Sequence, residues 1–266
     1  MSPSPVRIVQ VTDTHIHREP GARMKGVDTN ASLLAVLEAA RGEAPDLVLV
    51  TGDLVHDGSP QGYRRLGAHL ERLGAPALCI PGNHDDPRVM AEVMATSGAP
   101  AGQGLRWLPR AAAGAWELIL LNTFLPGEVA GALDAAALTR LDADLARGEG
   151  PALVTLHHQP APVGSSWMDA MGLREPDGFW AVIDRHPRVQ VVLWGHVHQA
   201  FEDRRGDVAL LATPRPACSS PRAPRPTGRT TPSRATGCST CTRTVASTPG
   251  WSGSPSRSEE RRVGKE

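Results

Sequence analysis

Five of six short apolar runs in this chain end in the same way, on a cluster of His, Asp or Asn. The runs cover residues 6–11, 46–50, 77–80, 116–121, 152–156 and 189–193, and each has the length and β-branched content of a buried strand. Asp13 and His15 follow the first run, Asp53 the second, Asn83 and His84 the third, His157 and His158 the fifth, and His196 and His198 the sixth. Between them lie Ala/Leu-rich segments of helical period at 28–41, 59–73, 87–95, 134–146 and 177–185, several opening on a Ser or Asp cap. A hairpin is expected from 201–203 and 208–211 around Arg205-Gly206. Strands alternating with helices predict an α/β domain, and in such sheets the loops at the carboxyl ends of strands converge on one edge. Five loops therefore bring metal-type side chains to one place.

The pattern stops at Pro214. Residues 215–256 hold seven Pro and no Leu, Ile or Phe, a composition that cannot build a core. The charge divides at the same point. Of 28 basic and 28 acidic side chains, ten Lys or Arg and three Glu fall after Pro214, leaving 18 basic and 25 acidic before it. The body is thus −7 and offers no cationic face to a nucleic-acid backbone, so no nucleic-acid partner is expected. The last ten residues, RSEERRVGKE, read like a translated sequencing adapter. Shifting the frame of the preceding segment by one base gives a more protein-like string that begins STCVQF. Two regions are therefore expected: a domain over 1–214, and a disordered, non-native tail over 215–266 produced by a frameshift. On that reading Cys238 and Cys241 are neither a zinc knuckle nor a redox pair, which leaves Cys79 as the cysteine of the body. No apolar run approaches the roughly 18 residues of a membrane span, and the first strand starts at Val6, so no membrane partner and a cytoplasmic location are expected.

The chemistry reads in order as Asp13-Thr-His15, Gly52-Asp53, Gly82-Asn83-His84-Asp85, His157-His158 and Gly195-His196-Val197-His198. One such element occurs by chance in many chains; five in sequence, each after a strand, do not. Imidazoles and carboxylates together suit Mn, Fe or Zn. Two divalent ions about 3.5–4 Å apart can neutralise a phosphate and activate water, and a carboxylate such as Asp53 can offer one oxygen to each.

Over residues 6–214 this order resembles the calcineurin-like metallophosphoesterase superfamily. The resemblance implies a four-layer α-β-β-α sandwich, here without its C-terminal strands, and a cofactor of two divalent metal ions. It implies Asp13, His15, Asp53 and His198 on the first ion and Asp53, Asn83, His157 and His196 on the second. It also makes His84 the phosphate contact and the proton donor to the leaving oxygen, with Asn83 beside it on the substrate. His158 is expected to hydrogen-bond behind the ligands, Asp85 and Asp57 to cap or buttress loops, and His56, His69 and His186 to be surface residues.

Substrate choice must come from loops. Residues 160–173, PAPVGSSWMDAMGL, and the later Gly195-His196-Val197-His198-Gln199 are similar to bacterial class III cyclic-nucleotide phosphodiesterases, as is the frame-shifted STCVQF. This implies hydrolysis of 3′,5′-cyclic AMP to 5′-AMP, with Trp167 and Met168 as an apolar rim for the base and a homodimer as a possible assembly. Glycerophosphodiesterases share much of the loop and are the alternative. A non-enzymatic scaffold would be free to lose ligands, and here every expected position is filled.

Overall fold

The computed structural model describes residues 5–96, 104–216 and, by backbone alone, 243–247. Its strands β1 (Val6–Val11), β4 (Leu47–Thr51), β5 (Ala77–Ile80), β9 (Ala152–Leu156) and β10 (Val189–Trp194) are apolar at nearly every position because both faces are covered. Shorter strands are β2 (Arg23–Met24), β3 (Val27–Asp28), β6 (Leu105–Arg106), β7 (Arg110–Ala113), β8 (Trp116–Leu120), β11 (Phe201–Arg205) and β12 (Val208–Ala212). The helices are α1 (Thr29–Gly42), α2 (Pro60–Leu70), α3 (Pro87–Ala95), α4 (Ala135–Arg147), α5 (Ser166–Asp169) and α6 (Pro176–Ile183). Helices α1 to α4 start where Asp28, Ser59, Asp86 and Asp134 accept a backbone N–H of the first turn, and Pro opens α2, α3 and α6.

Two sheets result. One runs β13-β1-β4-β5-β6, where β13 is Arg243–Ser247; the other runs β11-β12-β10-β9-β8-β7. Alternate side chains of β1, β4 and β5, including Ile8, Leu49 and Ile80, meet Leu120, Leu153 and Leu193 of the second sheet between the layers. The other face of the first sheet, Val9, Val11, Val48 and Val50, packs on Leu33 and Leu37 of α1, Leu66 of α2 and Met90 of α3. Ile119, Val154 and Val192 pack likewise on Leu141 of α4 and Phe179 and Ile183 of α6. This is the four-layer α-β-β-α sandwich. Strands β1, β4 and β5 are mutually parallel, as are β8, β9, β10 and β12, so within each sheet the carboxyl ends share an edge.

One strand departs from the expected absence of C-terminal strands and of order after Pro214. Arg243–Ser247 pairs antiparallel with β1 from Val6 to Gln10. The open edge of β1 presents a row of backbone donors and acceptors, and the segment carries Thr244 and Val245, residues that favour extended backbone. The rest of 217–266 lies outside the described residues. Three further features escape the sequence pattern: the short strand β6, Ala-rich β7, and the β2–β3 hairpin, whose turn is made by Lys25 and Gly26 at φ 50° and 84°.

Candidate metal centre

The loops that leave β1, β4 and β10 are tight. Asp13, His15, Asp53, His196 and His198 all sit at positive φ, from 44° to 66°, a region that costs a side chain of this kind about 1–3 kcal/mol. The surrounding backbone holds them there: Asp13 N–H donates to Gly52 O at 3.0 Å, His15 N–H to Asp53 O at 2.9 Å, and Gly195 N–H to His157 O at 3.1 Å. Gly52, at φ 91°, is required twice over, because a Cβ there would fall on the His157 ring. Gly195 lets its chain pass against Thr12 and Thr51.

Three groups of acceptors meet at this edge, one of them His15, His56 and His84, and the other two hold the expected Asp and His ligands. Asp13, His15, Asp53 and His198 form one of these two, with ligand atoms within 4.8 Å of one another; His157, His158 and His196 form the other on the same criterion. The Asp53 carboxylate lies between these last two groups, Oδ2 at 3.6 Å from His15 Nε2 and Oδ1 at 3.5 Å from His157 Nε2. Asp13 Oδ1 faces His198 Nε2 at 3.2 Å, while its Oδ2 accepts from Thr12 Oγ1 at 2.6 Å and from the His196 N–H at 3.0 Å. His157 Nδ1 donates to Thr51 O at 2.8 Å, which turns Nε2 inward.

The donor set fits a cation. Asn83 Oδ1, His157 Nε2 and His196 Nε2 are buried and have no hydrogen-bond partner among the described residues. Buried polar atoms are otherwise paired almost without exception, and atoms able to act as acceptors crowded on two carboxylates are satisfied together by positive charge. The electrostatics agree. Burial pushes the Asp13 carboxyl up, yet His198 beside it wins and holds it at about 2. Burial likewise opposes ionisation of Asp53, but His157 keeps it well below the carboxylate range. Burial would push His157 down, and the Asp53 carboxylate instead lifts it to about 9. Burial takes His15 to about 3, and burial together with His157 takes His196 to about 4.

His158 belongs to the second trio by position, but both its nitrogens are used. Nε2 lies 3.0 Å from Val129 O and Nδ1 2.8 Å from Thr123 Oγ1, so the ring ties the 123–129 loop to the site. His84 is anchored by its backbone N–H, which donates to Asp53 Oδ1 at 2.9 Å, and its ring stands 4.9 Å from that of His15. Asp85 is buried and accepts from Gly82 N–H, Leu54 N–H, Val55 N–H and Tyr63 Oη, clamping the β4 and β5 loops together. Asp57 accepts from Arg18 N–H and from Ser59.

Three sequence expectations need correction. Met168 is 7% exposed and packs in the core under α6, because neighbouring residues of the α5 turn point to different sides; the apolar rim reduces to Trp167, 69% exposed. His56 is half-buried against His15 and His84 rather than free on the surface. His69 and His186 are also engaged, with Asn30 and Asp142. Sequence reasoning missed Gln10, whose Nε2 donates to Thr51 Oγ1 and to Trp194 O at 2.8 Å each and so stitches the two sheets beneath the site. A Gln within the buried run 8–11, otherwise apolar, is the available signal.

A four-layer sandwich with this acceptor set at the carboxyl ends of its strands defines a metallophosphoesterase scaffold. Residues 6–200 match the family described as calcineurin-like phosphoesterase, and the chain belongs to that family. It is 40% identical over 213 residues to the 3′,5′-cyclic adenosine monophosphate phosphodiesterase CpdA of Pseudomonas aeruginosa, covering 79% of this chain and 75% of that one. The CpdA of Escherichia coli K12 is 35% identical over 226 residues, covering 81% and 80%. A probable cyclic nucleotide phosphodiesterase of Synechococcus is 37% identical, covering 83% and 84%. Among solved structures, a dimetal phosphatase from Danio rerio superposes with a TM-score of 0.62 at 13% identity, over 80% of this chain and 88% of that one, a likeness of fold. Among the described residues no helix is long and apolar enough to cross a membrane.

Proposed function

We propose that this chain is a phosphodiesterase that hydrolyses 3′,5′-cyclic AMP to 5′-AMP. The observation that carries the reading is the 40% identity over 213 residues to an enzyme named for that reaction, in a chain whose acceptor set is complete. Asp13, His15, Asp53 and His198 would hold one divalent ion, and Asp53, Asn83, His157 and His196 a second, of Fe, Mn or Zn. When bound, such ions supply positive charge for the phosphate oxygens and lower the pKa of water.

The chain's own groups do the rest. Hydrolysis adds a water oxygen to phosphorus and breaks the bond to O3′, and the departing alkoxide needs a proton. We assign that proton to His84: its backbone is fixed on Asp53, while its exposed ring adjoins that of His15. The Asn83 amide has an N–H₂ left for a phosphate oxygen if its Oδ1 faces a cation. The exposed Trp167 indole offers a face on which a purine can stack. The −7 body favours a small diester over a polynucleotide. All these residues lie within 1–214, which we take as the catalytic domain.

Turnover of cyclic AMP, cyclic GMP and glycerophosphodiesters, measured side by side with Mn(II), tests the assignment. A kcat/KM highest for cyclic AMP is expected; a wide preference for a glycerophosphodiester would replace it.

A further inference from the structure

His56 stands outside the ligand set and the proposed acid, yet it touches both. Its backbone N–H donates to Ile16 O at 2.9 Å and Val55 bridges Ile16, so the loops after β1 and β4 run side by side there. That register brings His56 Nδ1 to 3.4 Å from His15 Nδ1. It also lays the His56 ring on the His84 ring, centroids 4.7 Å apart and planes 23° from parallel. The His17 ring adjoins His56 at 4.7 Å, so His56 has an imidazole neighbour besides His84.

His15 is buried, and its Nε2 faces Asp53 Oδ2 at 3.6 Å and His198 Nε2 at 3.4 Å. An imidazole offers a lone pair to a cation from one nitrogen while the other carries its proton, and a hydrogen bond to that proton fixes which is which. For His15 the inward atom is Nε2, so the proton belongs on Nδ1 and requires an acceptor. Among the described residues that acceptor is His56 Nδ1.

We infer that His56 is a positioning residue with two separable contacts. Its Nδ1 accepts from His15 Nδ1–H and holds His15 in the tautomer that aims Nε2 at Asp13, Asp53 and His198. Its ring face supports His84. The inference rests on the metal-site reading above and deepens it, giving His56 a role behind the ligand His15 although its ring also lies within ligand spacing of His15 and His84.

Two substitutions divide the contacts. His56→Asn keeps an acceptor near the Nδ1 position and removes the ring; His56→Phe keeps a ring and removes the acceptor. Calorimetric titration of the stripped chain with Mn(II) should show His56→Phe binding one of two ions about 10–100-fold more weakly, the usual cost of removing an outer hydrogen-bond partner, while His56→Asn stays within about threefold of the parent. Nitrogen-15 spectra should show His15 protonated on Nδ1 in the parent and His56→Asn, and a mixture of tautomers in His56→Phe. At saturating Mn(II), His56→Asn should lose more turnover on a poor leaving group than on nitrophenolate. A His56→Phe chain that binds both ions as tightly as the parent, or a His56→Asn chain as weak as His56→Phe, overturns the tautomer role. Equal losses on both leaving groups overturn the support of His84. If the parent itself binds no divalent ion, the metal-site reading falls and this inference with it.

Discussion

At the scale of single residues, the site places a clear demand on His84. It is tied to the centre by its backbone N–H on Asp53 Oδ1, so removing the imidazole leaves that tie intact. His84→Ala should therefore retain bound metal and slow turnover by about 10²–10⁴, the range for a general acid. The loss should shrink for nitrophenyl esters, whose leaving group scarcely needs a proton; equal losses for good and poor leaving groups would remove His84 from that role. His157 sets a second expectation, this one on pH. Its imidazole, lifted to about 9 by Asp53 against the pull of burial, carries a proton at pH 7. A cation taking its Nε2 must displace that proton. Apparent affinity should then rise about tenfold per pH unit up to about 9 and level off above it. Asp13, at about 2, is already ionised in this window, and His15 and His196, at about 3 and 4, are already neutral, so these three ligands release no proton of their own. Calorimetry in buffers of different ionisation enthalpy should report about one proton released per chain at pH 7, and finding none would contradict the assignment.

At the scale of elements, the strands and their polar ends were legible because burial on both faces forces unbroken apolar runs, and the residues just past them must be polar to serve a site. What could not be read is informative. The Ala-rich segment of β7 carries no β-branched residue; it becomes a strand because it pairs with β8 across the turn at Gly114, a tertiary gain over weak local preference. His56 looked like a surface residue because a loop position does not reveal where its side chain turns, and only the Ile16–Val55 bridge aims it at His15. Met168 was misplaced for the complementary reason, since a four-residue helix gives too little periodicity to tell its buried side from its exposed one. The end of β4 carries the sharpest elemental constraint. Gly52→Ala puts a methyl group on the His157 ring at a backbone φ of 91°, and should lower the free energy of unfolding by about 1–3 kcal/mol while weakening metal binding. Chemical denaturation with metal analysis checks both, and an unchanged metal content would show that the two loops can part without loss.

At the scale of the molecule, chain position and charge divide together. Every residue assigned to the metal centre, the proton donor and the indole face lies between Asp13 and His198, in the part of the chain that is −7, while the segment from Arg215 onward is +7. We take that segment to lie outside the catalytic unit, although the backbone of Arg243–Ser247 covers the edge of β1. The two roles are separable, because the loops that carry Asp13 and His15 are held by bonds to Gly52 and Asp53 in β4's loop, on the side of β1 away from β13. Ending the chain after Pro216, so that the buried Arg215 is kept, should leave the number of bound ions and the substrate preference unchanged. It should also uncover the β1 edge, whose free backbone groups favour pairing between molecules, so the shortened chain should associate more readily as concentration rises. Metal analysis together with light scattering separates the two effects. Retained metal with greater association is the expected result. Loss of metal on truncation would place the segment after Pro216 within the working enzyme and end the division of the chain at Pro214.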